Sequence, residues 1–444
     1  MTVTAHVEAL LAAARRHGAD HADAILVRNE SESALVRQGV PEGIERSESV
    51  ALGLRVFRGL RAATVSTSVM DEREFDRLAE QACAMAQVVP EDRFGGLSPD
   101  AQSGVFDASG LELEDTQAPN MDALLARARE AEETALGFEG ITNSSGASAG
   151  FGRTVIALGT SAGFLGSYAR TSYSNAISVL AGEGANMQRD YAGRSTVFLS
   201  DLISPAEIGR EAATRALRRL NPVKPRTGTY PVIFDPRVST SLLGHLTSAI
   251  SGAAIARGTS FLKDSLGDKI FSSEINVIDD PRRLRGTGSR PFDAEGGSAL
   301  RMNLIEEGVL QTWLLDSRSA RQLGMRSNGR ASRGVSSPPS PGITNLHLAP
   351  GSLAPDDLRS DIREGILVTE LMGSSVNMLT GDYSRGASGF MIRDGQIAEP
   401  VAELTIAGNL KDMFARMIAG NDLEFRQGVN APSVRIDDMS IAGI

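Results

Sequence analysis

The chain has 444 residues, of which 41% are hydrophobic and 23% are charged, and its 45 basic and 55 acidic residues give a net charge of −10. A single hydrophobic core stops growing at roughly 250–300 residues, so this length indicates two domains. The negative charge disfavours direct binding of nucleic acid, because the chain would repel a phosphate backbone. The single cysteine, Cys83, excludes an intrachain disulfide and suits a reducing compartment.

The first half of the chain alternates between helical and strand patterns. Its first twenty residues predict an amphipathic helix rather than a signal peptide, and no apolar run is long enough to cross a membrane, so we expect a cytoplasmic chain. The elements that follow are strands over 22–69, a helix from an N-cap at Asp71 to Val88, a surface connection over 89–120, a helix over 121–137, an antiparallel meander over 139–200 and a helix over 205–220.

The Pro- and Lys-containing segment 221–228 predicts a boundary between domains 1–224 and 225–444. After it come a strand, TYPVIFD, and a helix beginning near Pro236. Two hairpin-then-helix units follow, with turns at Glu307-Gly308 and Asp394-Gly395, and a similar unit lies in the first half. These patterns predict an α+β protein of two domains built from antiparallel sheets with helices.

Residues suited to catalysis are scarce. Five histidines are present, and His245 has no second histidine four residues away and no nearby glutamate, so we predict neither a zincin helix nor another metal site. The Gly-Lys-Ser or Gly-Lys-Thr of a phosphate-binding loop does not occur in the sequence. We therefore predict no catalytic residue and no cofactor bound by this chain.

Two segments are candidates for binding a peptide or a partner. The loop SRGVSSPPSPGITNLHL has prolines that hold an extended backbone, which is typical either of a peptide-binding or subunit-contact segment or of a rigid connector. The other segment is TGDYSRG. The candidate residues are His245, Ser336, Ser337, Thr344, Asn345, Asp382, Tyr383, Ser384 and Arg385.

Four stretches of the second half, LLGHLTSAISGAAIARGTSFLKDSLGDKIF, SRGVSSPPSPGITNL, TGDYSRGASGFMIRDGQIAEPVAELTIAGNLKDMF and GNDLEFRQG, resemble the PmbA (TldE) branch of the TldD/PmbA family. The resemblance implies a dimer of two-domain chains around an internal chamber, acting in limited proteolysis of unstructured peptides. It also implies a zinc site in the sister branch, TldD, made by a His-Glu-x-x-x-His motif and a later cysteine.

Laid against that motif, this chain has residues without the required chemistry. Leu243 and Ser248 stand where the two histidines would be, Gly244 where the glutamate would be, and Pro432 where the cysteine would be. The resemblance therefore implies that zinc belongs to a TldD-like partner and not to this chain.

Three hypotheses follow. The leading one is a non-catalytic subunit of a TldD-type zinc peptidase, paired with a TldD-like sister or with itself and holding an unstructured peptide. The second is an active metallopeptidase with a non-standard site around His245, Asp382 and Ser384. The third is a non-enzymatic binding protein, such as a modulator of DNA gyrase.

Overall fold

The computed structural model describes residues 2–101 and 108–444, in which helices occur together with mostly antiparallel sheets. The predicted α+β class is confirmed. The helices and strands described in the first half are α1 (Val3–Arg16), β1 (His21–Arg37), β2 (Val40–Arg58), β3 (Arg61–Thr67), α2 (Glu72–Val88), α3 (Met121–Leu136), β4 (Ile141–Thr160), β5 (Leu165–Ala181), β6 (Gln188–Thr196) and α4 (Pro205–Arg218). Short 3₁₀ helices lie at Ser109–Leu111, Gly184–Asn186 and Leu199–Asp201.

The six strands form one antiparallel sheet in the order β3-β2-β1-β4-β5-β6. Because successive side chains of a strand point to opposite faces, Ala24, Leu26 and Ala34 of β1 share one face. Ala24 and Leu26 are buried under α1 and α2, and Ala34 is buried under α3 and α4. All four helices therefore cover the same face of the sheet.

The other face of the sheet meets the second half of the chain at one end. There Ile25 packs in a small apolar cluster with Leu158 and with Phe292 of the second half. Further along the same face the side chains become small and polar, and Ser31 and Ser47, which are paired across β1 and β2, are exposed.

The capping predicted for α2 is confirmed, since the side chain of Asp71 accepts a hydrogen bond from the Glu74 N–H. Cys83 is 3% exposed between α1 and α2. The prediction that 89–120 is a surface connection is wrong for part of its length. Leu111 and Leu113 are buried, because the segment runs along β5, where the Leu113 carbonyl accepts the Thr171 N–H. Residues 102–107 of this connection lie outside the described residues.

The second half has shorter and more numerous elements. In the described chain they are β7 (Gly228–Phe234), α5 (Pro236–Ala249), α6 (Gly252–Ala256), β8 (Val277–Asp279), β9 (Met302–Glu306), β10 (Val309–Leu310), α7 (Ser317–Gln322), β11 (Ala331–Ser332), β12 (Ser340–Pro341), β13 (Leu346–Leu348), α8 (Pro355–Arg359), β14 (Glu364–Val376), β15 (Asp382–Arg393), β16 (Gln396–Asn409), α9 (Leu410–Ala415), β17 (Ile418–Ala419), β18 (Val429–Asn430) and β19 (Val434–Ala442).

One sheet of this half closes on itself. Its order is β16-β15-β14-β7-β19-β17, and β16 also pairs with β19 through Thr405–Ala407, so five strands form a small barrel. The β7–β14 pair is parallel and the other pairs of the barrel are antiparallel. A second sheet has the order β10-β9-β8-β13-β18. Helix α5 packs against the barrel and this second sheet, and their apolar side chains form one core.

Both predicted hairpin-then-helix units of this half are present. β9, β10 and α7 form the first, and β15, β16 and α9 form the second. Their turns have positive φ at Glu307 and Gly308 and at Asp394 and Gly395, as a tight hairpin turn requires. In residues 2–101 and 108–444 no helix is long and apolar enough to cross a membrane. The predicted boundary near 221–228 stays a prediction.

Candidate functional site

Helix α5 carries three of the four residues that the resemblance places at the lost zinc site, Leu243, Gly244 and Ser248. It begins at Pro236 after an N-cap at Asp235, whose carboxylate accepts the Arg237 N–H at 3.0 Å. Its apolar residues recur every three or four positions, so one side of the helix enters the core, and Leu243 on that side is 2% exposed. Gly244 and Ser248, one turn apart, lie on the exposed side.

The side chains at the four compared positions do not fit a zinc ion. Leu243 and Pro432 have no donor atom and Gly244 has no side chain, while the Ser248 hydroxyl donates to the Gly244 carbonyl at 2.9 Å. Pro432 is buried, and its carbonyl accepts the Ser239 hydroxyl at 2.9 Å. Over the described ranges no group of three or more His, Cys, Asp or Glu side chains is arranged to hold a metal ion.

His245, Tyr383 and Arg385 come together between α5 and the start of β15. The His245 and Tyr383 rings meet edge to face with their centroids 5.8 Å apart. Burial lowers the pKa of His245, and the positive charge of Arg385 lowers it further. Burial raises the pKa of Tyr383 above its ordinary value. Both rings are therefore uncharged near neutral pH.

Asp382 and Ser384 lie on the opposite face of β15 from Tyr383, because side chains alternate along a strand. Asp382 is exposed and accepts hydrogen bonds from the Thr380 hydroxyl at 2.6 Å and from Asn409 Nδ2 at 3.1 Å, which lower its pKa. Since His245 contacts Tyr383, the arrangement of His245, Asp382 and Ser384 required by the second hypothesis does not form in this structure.

A groove lies beside α5 and the end of β14. It has a volume of about 760 Å³, within the roughly 300–1,000 Å³ common for ligand sites. Ser248, Arg257 and Thr259 line one side, and the segment from Ser375 to Leu379 lines the other. Val376 in this wall is the strand partner of Tyr383, so the groove adjoins the His245 cluster.

The candidates in the proline-rich loop occupy two different environments. Ser336 is exposed, and the Ser337 hydroxyl accepts the Gly334 N–H at 3.1 Å. Thr344 is 6% exposed, and its hydroxyl donates to Asp279 at 2.9 Å. Asn345 is 2% exposed, and its amide is bonded to Asp280, Ser289 and Gly288. Thr344 and Asn345 thus bind the chain's own groups here, and their contact with a peptide stays a prediction.

Part of the same loop is packed against the first half. Val335 lies on β2 at Gly53, and the Arg333 guanidinium pairs with the buried Asp23, which Arg55 also contacts. This contact fits both interpretations of the loop, as a contact segment and as a rigid connector.

The sequence analysis missed a set of buried charges. Besides Asp23, Arg55 and Arg333, the pair Arg330 and Asp279 is fully buried, with an N–O distance of 2.5 Å. The available signal was a charged residue inside an apolar strand, as in ADAILV and GLRVF. Buried charges are rare unless they are paired, so such residues indicate a partner elsewhere in the chain.

Comparison with known proteins identifies the family. Models of three PmbA/TldA metallopeptidase domains match in order: domain 1 over residues 22–86, the central domain over 114–220 and the C-terminal domain over 227–443. The Escherichia coli O157:H7 protein named Metalloprotease PmbA is 37% identical over 426 residues, which cover 96% of this chain and 92% of that protein. This chain belongs to the PmbA/TldD metallopeptidase family.

Solved structures of similar proteins share the PmbA/TldD fold along the whole chain. A Bacteroides thetaiotaomicron protein described as a modulator of DNA gyrase matches with a TM-score of 0.91 and 27% identity, covering 99% of this chain and 98% of that one. TldE from Thermococcus kodakarensis matches with a TM-score of 0.85 and 20% identity, covering 99% of this chain and all of that one. The likeness to TldE, at this identity, concerns the fold alone.

Proposed function

We propose that this chain is the non-catalytic, PmbA/TldE-like subunit of a TldD-type zinc peptidase. One observation carries the proposal: the side chains of Leu243, Gly244, Ser248 and Pro432 offer no set of donors for zinc. A structural or catalytic zinc site needs at least three protein ligands, so the ion and the chemistry belong to a TldD-like partner chain. The complex acts in the cytoplasm.

In this proposal the chain contributes to holding the substrate. The groove between Ser248 and the segment from Ser375 to Leu379 supports that role, because it is large enough for several residues of an extended peptide. An unfolded peptide has no fixed side-chain arrangement to recognise, so such a groove would act on its backbone and on its termini. The partner is a TldD-like sister in a heterodimer, with a homodimer of this chain as the alternative.

The test compares this chain purified alone with the same chain purified together with a TldD-like sister, using cleavage of an unstructured casein fragment. We expect cleavage only in the mixed sample, and we expect it to disappear when one motif histidine of the sister is replaced by alanine. Cys83→Ala in this chain should leave cleavage unchanged, because Cys83 is buried between α1 and α2. Cleavage by this chain alone at the rate of the mixture would reject the proposal.

A further inference from the structure

We propose that a basic cleft between α4 and the start of α5 binds the phosphate group of a small ligand. The cleft consists of two cavities of about 280 and 300 Å³. Arg215, Pro236 and Arg426 line both cavities, which therefore lie side by side. The groove that contains Ser248 is at the opposite end of α5, so the basic cleft is separate from the proposed peptide groove.

The lining of the basic cleft is positive although the chain as a whole is negative. Six arginines and three carboxylates line the two cavities, whereas the whole chain has 45 basic and 55 acidic residues. The lining charges are Arg194, Arg215, Arg218, Arg237, Arg359 and Arg426, with Asp235, Asp422 and Glu424. Concave walls lined mainly by one sign of charge raise the local concentration of ligands of the other sign. The cleft should therefore attract anions.

Four arginines from three separate segments meet at the 300 Å³ cavity. Arg215 and Arg218 are one turn apart on α4, Arg359 is the last residue of α8, and Arg426 lies in the loop before β18. Guanidinium groups repel one another, so bringing four of them around one cavity costs free energy unless anions compensate them. The compensation available within the chain decides whether the cavity is left with a positive charge.

The two carboxylates that line this cavity are bonded elsewhere in the chain. Asp235 caps α5 and pairs with Arg237 at 3.2 Å. Asp422 accepts the Ser433 N–H at 2.8 Å and the Ser433 hydroxyl at 2.7 Å. In the part of the chain that the structure describes, neither carboxylate forms an ion pair with any of the four arginines.

The α4 side of the cavity has more positive than negative charge. Glu211 is shared, because it pairs with both Arg194 and Arg215. Burial lowers the pKa of Arg215, and the positive charge of Arg237 lowers it further, while Glu211 opposes the shift. An anion placed beside Arg215 would relieve this repulsion.

The other three arginines are also available to a ligand. Arg218 is exposed, lies over the Phe390 ring and forms no ion pair over residues 2–101 and 108–444. Arg359 and Arg426 pair with carboxylates whose side chains are mostly exposed to solvent. Exposed pairs contribute little free energy, so a ligand can compete for both guanidinium groups at low cost.

The chemistry of the cavity favours a phosphate over a carboxylate. A phosphate monoester has nearly two negative charges near neutral pH and three acceptor oxygens, and guanidinium groups bind such oxygens in pairs. Ile233, Leu367 and Ile392 form an apolar side of the same cavity, which would contact a short organic group on the phosphate. Free phosphate and a phosphate ester are the two sources of this chemistry.

The test measures binding to this chain alone by calorimetry, at one ionic strength, with inorganic phosphate, phenyl phosphate and benzoate as probes. We expect phenyl phosphate to bind at least tenfold more tightly than benzoate, which has the ring but a single charge. Tighter binding of phenyl phosphate than of inorganic phosphate identifies an ester as the ligand, and equal binding identifies free phosphate. Benzoate binding as tightly as phenyl phosphate, or no binding of either phosphate in the millimolar range, would overturn the proposal.

Variants of exposed arginines test the position of the site. Arg218→Gln should weaken phenyl phosphate binding about tenfold, and Arg359→Gln, from the other side of the cavity, should do the same. Arg210→Gln is the matched control, because Arg210 is an exposed arginine on α4 outside the lining of both cavities. Arg210→Gln and Arg218→Gln remove the same charge from the same helix, so equal affinities in these two variants would contradict the site. Their melting temperatures should agree, which separates lost binding from lost folding.

A spectroscopic measurement gives a readout that a purely structural role would not move. The phosphorus signal of phenyl phosphate, followed by NMR against pH, reports the second ionisation of the phosphate, whose pKa is ordinarily about 6. Binding should lower that pKa, because neighbouring guanidinium groups favour the doubly charged form. The decrease should be smaller with Arg218→Gln than with Arg210→Gln. A phosphate pKa that does not change on binding would contradict contact with the arginines.

Discussion

Gly53 lies directly against the carbonyl group of Val335, so closely that a Cβ atom at position 53 would come within 1.8 Å of the Val335 oxygen. Gly53 is in β2 of the first half, and Val335 is in the proline-rich loop of the second. The missing side chain thus allows two backbones from different halves to touch. Since Asp23 and Arg333 pair beside this contact, the halves are joined there by both packing and charge.

The contact predicts that Gly53→Ala is strongly destabilising. The added methyl would meet backbone and not a movable side chain, so we expect a loss of roughly 3 kcal/mol or more in the free energy of unfolding. Urea denaturation of the natural chain and of Gly53→Ala measures this loss. The control is Gly43→Ala in the same strand, where the new Cβ would meet Leu35 at an ordinary 3.4 Å and the loss should stay within about 0.5 kcal/mol. Similar losses for the two variants would show that Val335 is not packed on Gly53.

Replacing Asp23 should lower the free energy of unfolding by an amount similar to that expected for Gly53→Ala. Burial alone would raise the pKa of Asp23, but Arg55 and Arg333 together hold it below its usual value, so the carboxylate stays ionised between them. Asp23→Ala leaves two buried guanidinium groups without their anion, and we expect a loss of about 3–5 kcal/mol in unfolding free energy. Asp76→Ala, which removes a surface pair with Arg16, should have a much smaller effect, because solvent screens an exposed ion pair. A small effect at Asp23 would argue against the buried network.

Glu295 predicts a pH dependence of stability. It is 4% exposed, and burial together with the charge of Asp293 raises its pKa from 4.5 to about 7, while Arg55 opposes the shift. The folded chain therefore holds a proton that the unfolded chain loses near pH 4.5. The stabilisation of the folded chain by this proton is complete below pH 4.5 and is lost as the pH rises through 7. The free energy of unfolding falls over that range by up to about 3 kcal/mol.

The measurement compares unfolding free energy between pH 4.5 and 8 for the natural chain and for Glu295→Gln. The glutamine side chain has the shape of protonated Glu295 and stays uncharged at every pH. The decrease of unfolding free energy with rising pH should therefore be smaller in the variant. Glu48→Gln, an exposed change in β2, should leave the slope as it was. Parallel curves for the natural chain and Glu295→Gln would contradict the raised pKa.

The helix face compared with the zinc motif gives a further prediction. Leu243 is 2% exposed in the main core of the second half, so Leu243→Ala should lower the unfolding free energy by about 3 kcal/mol. Ser248 is exposed, and its hydroxyl is bonded to the Gly244 carbonyl. Ser248→Ala should therefore change the unfolding free energy by less than about 0.5 kcal/mol. Thermal and urea unfolding of both variants check this difference. Equal effects would place Leu243 outside the core.

Much of the fold could be predicted from local patterns. The cap at Asp71 and the turns at Glu307-Gly308 and Asp394-Gly395 depend on a few neighbouring residues, so the sequence contains their signal. Closure of the barrel could not be predicted in this way. It depends on pairing of Thr405–Ala407 with the last strand, and strand pairing between distant segments has no local signature.

The candidate site was predictable in part. His245 and Tyr383 were both named from sequence, but the contact between their rings depends on how α5 packs against β15, which no spacing in the chain specifies. Thr344 and Asn345 were chosen for their polar side chains in an unusual loop. Their burial follows from Asp279 and Ser289, which reach them from distant segments. That Arg385 forms no ion pair among residues 2–101 and 108–444 could be seen only from the structure.

The central claim is that this chain binds no zinc of its own and works with a partner that does. Native mass spectrometry of the purified chain, alone and in complex with a TldD-like sister, counts the ions directly. We expect no zinc on the lone chain and one zinc per pair in the complex. Stoichiometric zinc on the lone chain would contradict the account.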